Sequence, residues 1–416
     1  MRRFIIFFIF VIQLVYFQLA NAQFFFDKVE EVGDFDFEKP IGFYTNPRYN
    51  RIEGLFANFG VKMRPKSVSG LQFYGDVGLG FWNDSGKRFR YTAGVRKDFF
   101  DFKRLTLGAE YFRKLASNDD WVFSEVENSL ASFFLRNDHK DYFGKQGLRL
   151  YVDHKFLEIH TLRFEVARQT YDDLDRNIDW SVFKGDFSEN PRRPDSFIAE
   201  GDETSLRFIA ALDWRDNPIF PLTGWYLEGI YERTMGDFDT DGFFFTVKRF
   251  QQTFGNHRLF IRGMLGARRG DIGIKSSLAA PDTLFEQYSI DLGGIGNLRG
   301  FEAKEFTGNR MVMLNANYLF GGDILQKVPL QGIPFFGAIW AALSMGVFVD
   351  TGWAWTTDDL GSGLVSGFGD LDLDDLKTNV GVSLLVLEGV LRLDIAKRTD
   401  RSNDDYRITF RLLKTF

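Results

Sequence analysis

The feature that most restricts the fold is a period-two alternation of apolar and charged residues, repeated in segment after segment. In "RLTLGAEYFRKL", Leu105, Leu107, Ala109 and Tyr111 alternate with Arg104, Thr106, Gly108 and Glu110. Leu162, Phe164 and Val166 oppose Arg163 and Glu165, and Leu391, Leu393 and Ile395 oppose Arg392 and Asp394. Successive side chains of a strand point to opposite faces, so each segment reads as a strand with one apolar and one charged face. In a soluble sandwich the apolar face would be core and the charged face would meet solvent. A sheet of this size has a second solution in lipid: closed into a barrel, it turns the apolar face outward and keeps the charged face in a wet lumen. Segments near ten residues suit that solution, since tilted membrane strands need roughly 9–11.

Composition points the same way. The 416 residues include 48 Phe and 41 Gly against 10 Pro, a balance that favours sheet with tight turns and supplies interfacial aromatic belts. Basic and acidic residues number 51 and 57, giving a net charge of −6 and no signal for nucleic acid. There is no cysteine, which excludes disulfides, thiolate metal sites and lipid attachment through an N-terminal cysteine. The opening "MRRFIIFFIFVIQLVYFQLANAQ" has a basic start, an apolar run and Ala20-Asn21-Ala22 as an A-x-A cleavage pattern. It reads as a signal peptide over 1–22, with an uncleaved anchor helix as the alternative.

Strands are expected at 51–63, 70–82, 88–98, 104–113, 142–154, 160–170, 203–214, 224–234, 242–252, 256–268, 310–320, 342–355, 376–386, 389–397 and 405–416. That is an odd number, whereas single-chain bacterial barrels have an even one, with short periplasmic turns and longer outer loops. Counting back from the C-terminus puts 356–375, 269–309 and 172–202 outside and "NPIFPLTG" in a periplasmic turn. Both chain ends then reach the periplasm if one more strand precedes 142. The unassigned apolar run there is "ENSLASFFLRND", 127–138, whose core also reads as helix. The expectation is an all-β, 16-stranded antiparallel transmembrane β-barrel, with a short periplasmic segment at 23–48 and the barrel at 49–416. The 22 uncharged residues between Lys327 and Asp350 could form a membrane helix. Pro329, Pro334 and several glycines favour instead an interfacial segment leading into a strand.

Near the middle lies "YSIDLGGIGNLRGFEAKEF", 288–306. As a phosphate-binding loop it fails: Gly294, Gly296 and Gly300 miss the G-x-G-x-x-G spacing, and the downstream "NRMVMLNANYLF" alternates like a strand instead of opening a helix. "NLRGF", Asn297 to Phe301, resembles instead the V/L-R-G-F/Y loop of the BamA/TamA-like outer-membrane assembly barrels, the bacterial surface antigen family. "DWRDNPIFPLTGW", with Asp216, Asn217, Pro218, Pro221 and Gly224, is similar to that family's D-x-x-NP-x-x-P-x-x-G periplasmic turn. "FVDTGWAW" resembles its F-x-D-x-G strand, and "YNRIEGLF", 49–56, a first-strand motif of some members. The ending "YRITFRLLKTF" resembles its barrel-recognition signal, through Tyr406, Ile408, Phe410, Leu412 and Phe416.

The resemblance implies a sixteen-stranded barrel whose glycine-rich extracellular loop folds inward. Leu298, Arg299, Gly300 and Phe301 would then dock in the lumen, with Arg299 paired to Asp350 and with Gly300 and Gly352 giving room. Two departures stand out: Asn317 occupies the place of a usual lumenal glutamate, and Leu413 replaces a glycine near the terminal signal. The latch is therefore expected to be weaker than in relatives. Family members usually carry periplasmic POTRA domains, and 23–50 is too short for one, so a POTRA-less member is expected, with a separate periplasmic partner as one substitute.

Enzyme signatures are thin. No G-x-S-x-G occurs, and His154 and His160 lack a third ligand, so no enzyme, cofactor or metal is expected. Asp370, Asp372, Asp374 and Asp375 read as a solvated acidic loop, with divalent ions bridging to lipid phosphates as the alternative. Two roles in the bacterial outer membrane, in contact with its lipid, remain. One is an insertion or translocation barrel that passes unfolded outer-membrane protein or lipid cargo through a seam between 51–63 and 405–416. The other is a closed channel, or a scaffold for a separate periplasmic partner.

Overall fold

The computed structural model describes residues 40–412 except 82–87, 101–102, 136, 158, 176–177, 179, 184–197, 219–220, 275–282, 321–342, 370, 387–390 and 402–404. The sequence-expected signal peptide at 1–22 and the terminal Phe416 lie outside the described residues. Among the described residues sixteen strands of the main sheet run antiparallel, each pairing with its sequence neighbour. Strand β1 is interrupted: Ile41–Tyr44 and Arg48–Asn50 both pair with β2, Gly54–Met63. Next come β3 (Leu71–Gly80), β4 (Phe89–Phe99), β5 (Leu105–Ala116), β6 (Phe143–Phe156), β7 (His160–Asp172) and β8 (Gly201–Asp213). The second half holds β9 (Gly224–Gly236), β10 (Thr240–Gln252), β11 (Arg258–Gly270), β12 (Arg310–Leu319), β13 (Leu343–Trp355), β14 (Lys377–Val386), β15 (Leu391–Arg398) and β16 (Arg407–Leu412).

All fifteen strands read from the alternation are present, and the total is sixteen, but the sixteenth is not where it was expected. Residues 127–138 do not form a strand; Glu125–Leu135 is an α-helix, α1. Ser124 caps it, its Oγ accepting from the Glu127 amide at 3.1 Å, in the S-x-x-E pattern that favours a helix start. The missing strand is β1, so the barrel starts at Ile41 rather than 49, and the expected 23–48 segment ends inside it. Thr45-Asn46-Pro47 hides it, because the tripeptide reads as a turn. Proline has no N–H for a ladder but is tolerated on a strand at the end of a sheet. Strands β2 to β5 consequently run opposite to the direction expected, and "YNRIEGLF" is the β1–β2 turn. There Asn50 Oδ1 accepts from the amides of Ile52 and Glu53 at 3.0 and 2.8 Å. Glu53 itself is buried between Arg48 and Arg90.

Alternating direction sends the connections 117–142, 173–200, 271–309 and 356–376 to one rim. The short turns 64–70, 100–104, 157–159 and 253–257 leave from the other, as does 320–342. Loop length makes the first rim extracellular. Of the uncharged stretch, 343–349 is strand and the rest lies outside the described residues; among the described residues no helix is long and apolar enough to cross a membrane. The faces are inverted relative to a soluble protein. Phe59, Phe73, Leu150, Phe164, Phe208 and Ile408 are exposed, whereas Gln72, Glu110, Glu165, Arg262, Asn315 and Asp394 are buried. That is a lipid-facing wall around a polar lumen.

Along the lumenal side of the early strands, glycine faces tyrosine across the ladder. Gly60 opposes Tyr44, Gly94 opposes Tyr74 and Gly108 opposes Tyr151. A Cβ on any of these glycines would overlap the opposing ring, so the missing side chain is what lets the ring lie flat on the sheet. Gly108→Val is expected to destabilise the barrel by about 1–3 kcal/mol through overpacking. A lowered unfolding temperature of the detergent-folded protein would register it, and an unchanged one would mean the Tyr151 ring moves aside freely.

Candidate functional site

The loop 271–309 enters the lumen and is held there by an apolar anchor and an ionic one. Its short strands Ile290–Leu292 and Phe306–Gly308 pair with each other. Ile290, Leu292, Leu298 and Phe301 are buried against Met311, Met313 and Ala354 of the barrel wall. Asn297 shapes the tip: its Oδ1 accepts from the amides of Gly293 and Leu298 at 2.9 and 2.6 Å. Gly296 has a φ of +83°, and a side chain there would run into the Arg411 guanidinium. Gly300 passes so close to β14 that a Cβ would lie 2.6 Å from that of Asn379.

Between these glycines Arg299 reaches the wall. Its Nε and Nη2 donate to Asp350 Oδ2 and Oδ1 at 2.8 and 2.6 Å, a bidentate pair, and its amide lies 3.3 Å from Oδ2. The guanidinium also stacks on Phe348, 3.4 Å from the ring centroid. Asn315 and Asn379 each donate to Asp350 at 2.9 Å, so both carboxylate oxygens are saturated. Gly352 does something other than give the arginine room: it lets β12 and β13 approach, since a Cβ would sit 2.7 Å from the Val312 carbonyl oxygen. Asn317, where the resemblance leads one to expect a glutamate, accepts from Arg299 Nη2 at 3.0 Å and from Arg392 Nη2 at 2.8 Å. A second carboxylate comes from Asp394, 3.5 Å from Arg299 and 2.8 Å from Arg392. Arg392 and Asp394 were visible in the sequence as a charged strand face, but nothing in the spacing tied them to Arg299.

Two further elements complete the lumenal assembly. Lys304, on the same loop, is surrounded by Asp119 at 3.0 Å, Asp141 at 2.6 Å, Glu286 at 3.4 Å and Asp291 at 3.8 Å. Helix α1 lies against both ends of the sheet. Ser129 Oγ accepts from the Tyr49 amide of β1 at 3.1 Å, and Phe133 meets the Tyr49 ring edge-on. On its other side Glu127 holds Arg411 of β16 through two bonds of 3.1 and 3.0 Å, both side chains buried.

Of the other sequence-picked residues, Asp216 organises its turn. Its Oδ1 accepts from the amides of Asn217, Leu222 and Thr223 at 2.9, 2.9 and 3.1 Å. Pro218 lends its carbonyl to Arg215 at 3.0 Å, Pro221 stands just before the return, and Gly224 takes a φ of +120°. Tyr406, Ile408 and Phe410 face outward and exposed, and Leu412 ends β16. His160 accepts from the Asp213 amide at 3.0 Å, and His154 lies 3.1 Å from the Arg104 carbonyl. Asp372 caps the short 3-10 turn Leu373–Asp375.

Removing one member of a buried ion pair strands its partner, at about 3–5 kcal/mol. Arg299→Ala and Asp350→Ala should therefore each loosen the loop by that order, with the double variant little worse than either single. Additive losses of barrel stability would argue against coupling. Burial pushes the Glu286 carboxyl from 4.5 up to about 7; Lys304 opposes the shift, while Asp141, Asp291 and Asp119 add to it. A carboxyl raised from 4.5 to about 7 on docking favours the docked loop fully below about pH 4.5, and that contribution is lost as pH rises from there to about 7. Protection of 283–309 from hydrogen exchange, after correction for the intrinsic base-catalysed rate, should fall from about pH 4.5 to about pH 7 and level off above it, and Glu286→Gln should flatten that fall.

A family model described as the Omp85 superfamily domain matches residues 75–416. No curated protein matches the chain in sequence. Among solved structures, BamA from Haemophilus ducreyi lacking POTRA domains 1-3 is similar, with a TM-score of 0.56 and 12% identity over 90% of this chain and 70% of that one. At that identity the likeness is one of fold. CdiB from Acinetobacter baumannii has a TM-score of 0.40 and 12% identity over 89% of this chain and 59% of its own.

Proposed function

This chain belongs to the Omp85 superfamily and resides in the bacterial outer membrane, and from that premise we propose that it passes cargo through a lateral seam between β1 and β16. The observation that carries the reading is α1. A single helix, hung from an extracellular loop, grips the Tyr49 amide of β1 and the Arg411 side chain of β16. Withdrawing that one element releases both strands from the lumenal side together. The first strand suits separation: β1 is interrupted at Thr45-Asn46-Pro47. A freed edge carries unpaired N–H and C=O groups and can template an incoming strand. The cargo of such a seam is an unfolded outer-membrane protein or a lipid, with a separate periplasmic protein delivering it to the short-turn rim. The role is that of a conduit, with no catalysis.

The test is a disulfide across the seam, from cysteines placed opposite each other in 41–50 and 407–412 of this cysteine-free chain. The locked barrel should lose its cellular role and regain it on reduction. An unchanged role would favour the closed channel or scaffold. Glu127→Ala leaves Arg411 buried without its carboxylate, at about 3–5 kcal/mol, and should accelerate hydrogen exchange in β1 and β16 ahead of the other strands. Uniform acceleration would remove α1 from the seam.

A further inference from the structure

On the outer surface, each ascending strand from β5 to β11 carries an arginine near its upper end. The outward series passes from Tyr111 to Arg113 on β5, Val166 to Arg168 on β7, Tyr231 to Arg233 on β9 and Ala267 to Arg269 on β11. Ladder register places Arg113, Arg168 and Arg233 at one depth. Arg113 faces Gln146, which faces Thr170, two residues above Arg168. Arg168 faces Thr204, while Arg233 faces Leu206, again two residues lower. Steps in one sense are what strands tilted by roughly 35–45° need to keep a common level. Arg233, Asp241 and Arg269 lie on one unstepped ladder line, so Arg269 stands two residues above that level, toward the rim.

An arginine on the lipid face is tolerated at the headgroup level and not at the bilayer centre, so this row marks the outer interface. Arg233 and Arg269 share Asp241 at 3.0 and 2.7 Å. Arg113 and Arg168 have no carboxylate partner among the described residues; Arg168 is exposed, and Arg113 Nε is buried without a hydrogen bond. Two strand spacings, roughly 10 Å, separate them sideways and two residues, about 7 Å, along the strands, enough for one anion each. A guanidinium matches phosphate through its planar fork. The corresponding outward ends near the seam carry Leu79, Tyr91, Trp353 and Lys397, with Lys397 over the Tyr406 ring.

We propose that this row docks the phosphate groups of outer-leaflet lipids, with Arg113 and Arg168 as its free binding pair. The band covers the wall opposite β1 and β16, so headgroups are held on the back of the barrel and the seam face is left unclamped. The lipid contact itself stands whether or not the seam opens.

The test places the full-length protein in nanodiscs of neutral phospholipid doped with a diphosphorylated glucosamine glycolipid, or with the same glycolipid stripped of phosphate. Native mass spectrometry then counts retained glycolipid. The unmodified protein should prefer the phosphorylated form by about tenfold, the worth of one charged hydrogen bond. Arg113→Gln with Arg168→Gln should abolish the preference while the heat-modifiable barrel persists; the corresponding pair of lysine substitutions should retain part of it. Should the double glutamine variant fail to fold, Arg168→Gln alone, at an exposed and unpartnered position, should still reduce the preference. Equal retention of the two glycolipids, an undiminished preference in the glutamine variants, or displacement of the lipid by inorganic phosphate at millimolar concentration would each overturn the proposal.

Discussion

Inside a bilayer there is no water to satisfy a backbone N–H or C=O, so each must find its partner within the protein. That constraint organises everything else here. It demands a sheet that curls toward closure, and once the outward positions at the depth of the hydrocarbon are given to lipid, the charged residues of the alternating strands at that depth are forced inward. The lumen then holds a density of ionic groups that a soluble core would not tolerate, because desolvated charges must be matched almost one for one. Arg299, Asp350, Arg392 and Asp394 are matched in this way. Lys304 and its four carboxylates are not balanced pair by pair, and burial leaves Glu286 titrating near neutrality.

The inward loop shows how such a lumen is filled without rigidly plugging it. Leu298 and Phe301 supply contact area, Arg299 supplies direction, and Asn297 fixes the turn that aims it. Arg299 meets a carboxylate whose remaining lone pairs are already taken by Asn315 and Asn379. The pocket is therefore arranged for a guanidinium before the loop arrives. Losing the loop would leave Asp350 with two amides and no countercharge.

Much of this was legible in the sequence, because period two is a strong signal when both faces are chemically extreme. Fifteen strands announced themselves in that way. The sixteenth did not, because Thr45-Asn46-Pro47 breaks the alternation where the chain breaks its ladder. The segment chosen in its place, 127–138, is apolar enough for a strand, yet Ser124 and Glu127 carry a helix-start pattern, and tertiary contacts with Tyr49 and Arg411 settle it as a helix. Arg299 and Asp350 could be singled out by resemblance. Asp394 could not, since its neighbour in space lies 95 residues away and no local spacing encodes it.

The grip of Glu127 on Arg411 bridges 284 residues of sequence. Nearly the whole barrel is the loop that this one contact closes. Closure entropy grows only slowly with length, but a contact so distant cannot form until everything between has been laid down. Since Arg411 belongs to β16, made long after α1, the helix must wait in a half-built lumen for its partner. That single ion pair thus dates the moment of completion: an unfinished barrel leaves α1 facing water, and a finished one has it sealed between its first strand and its last.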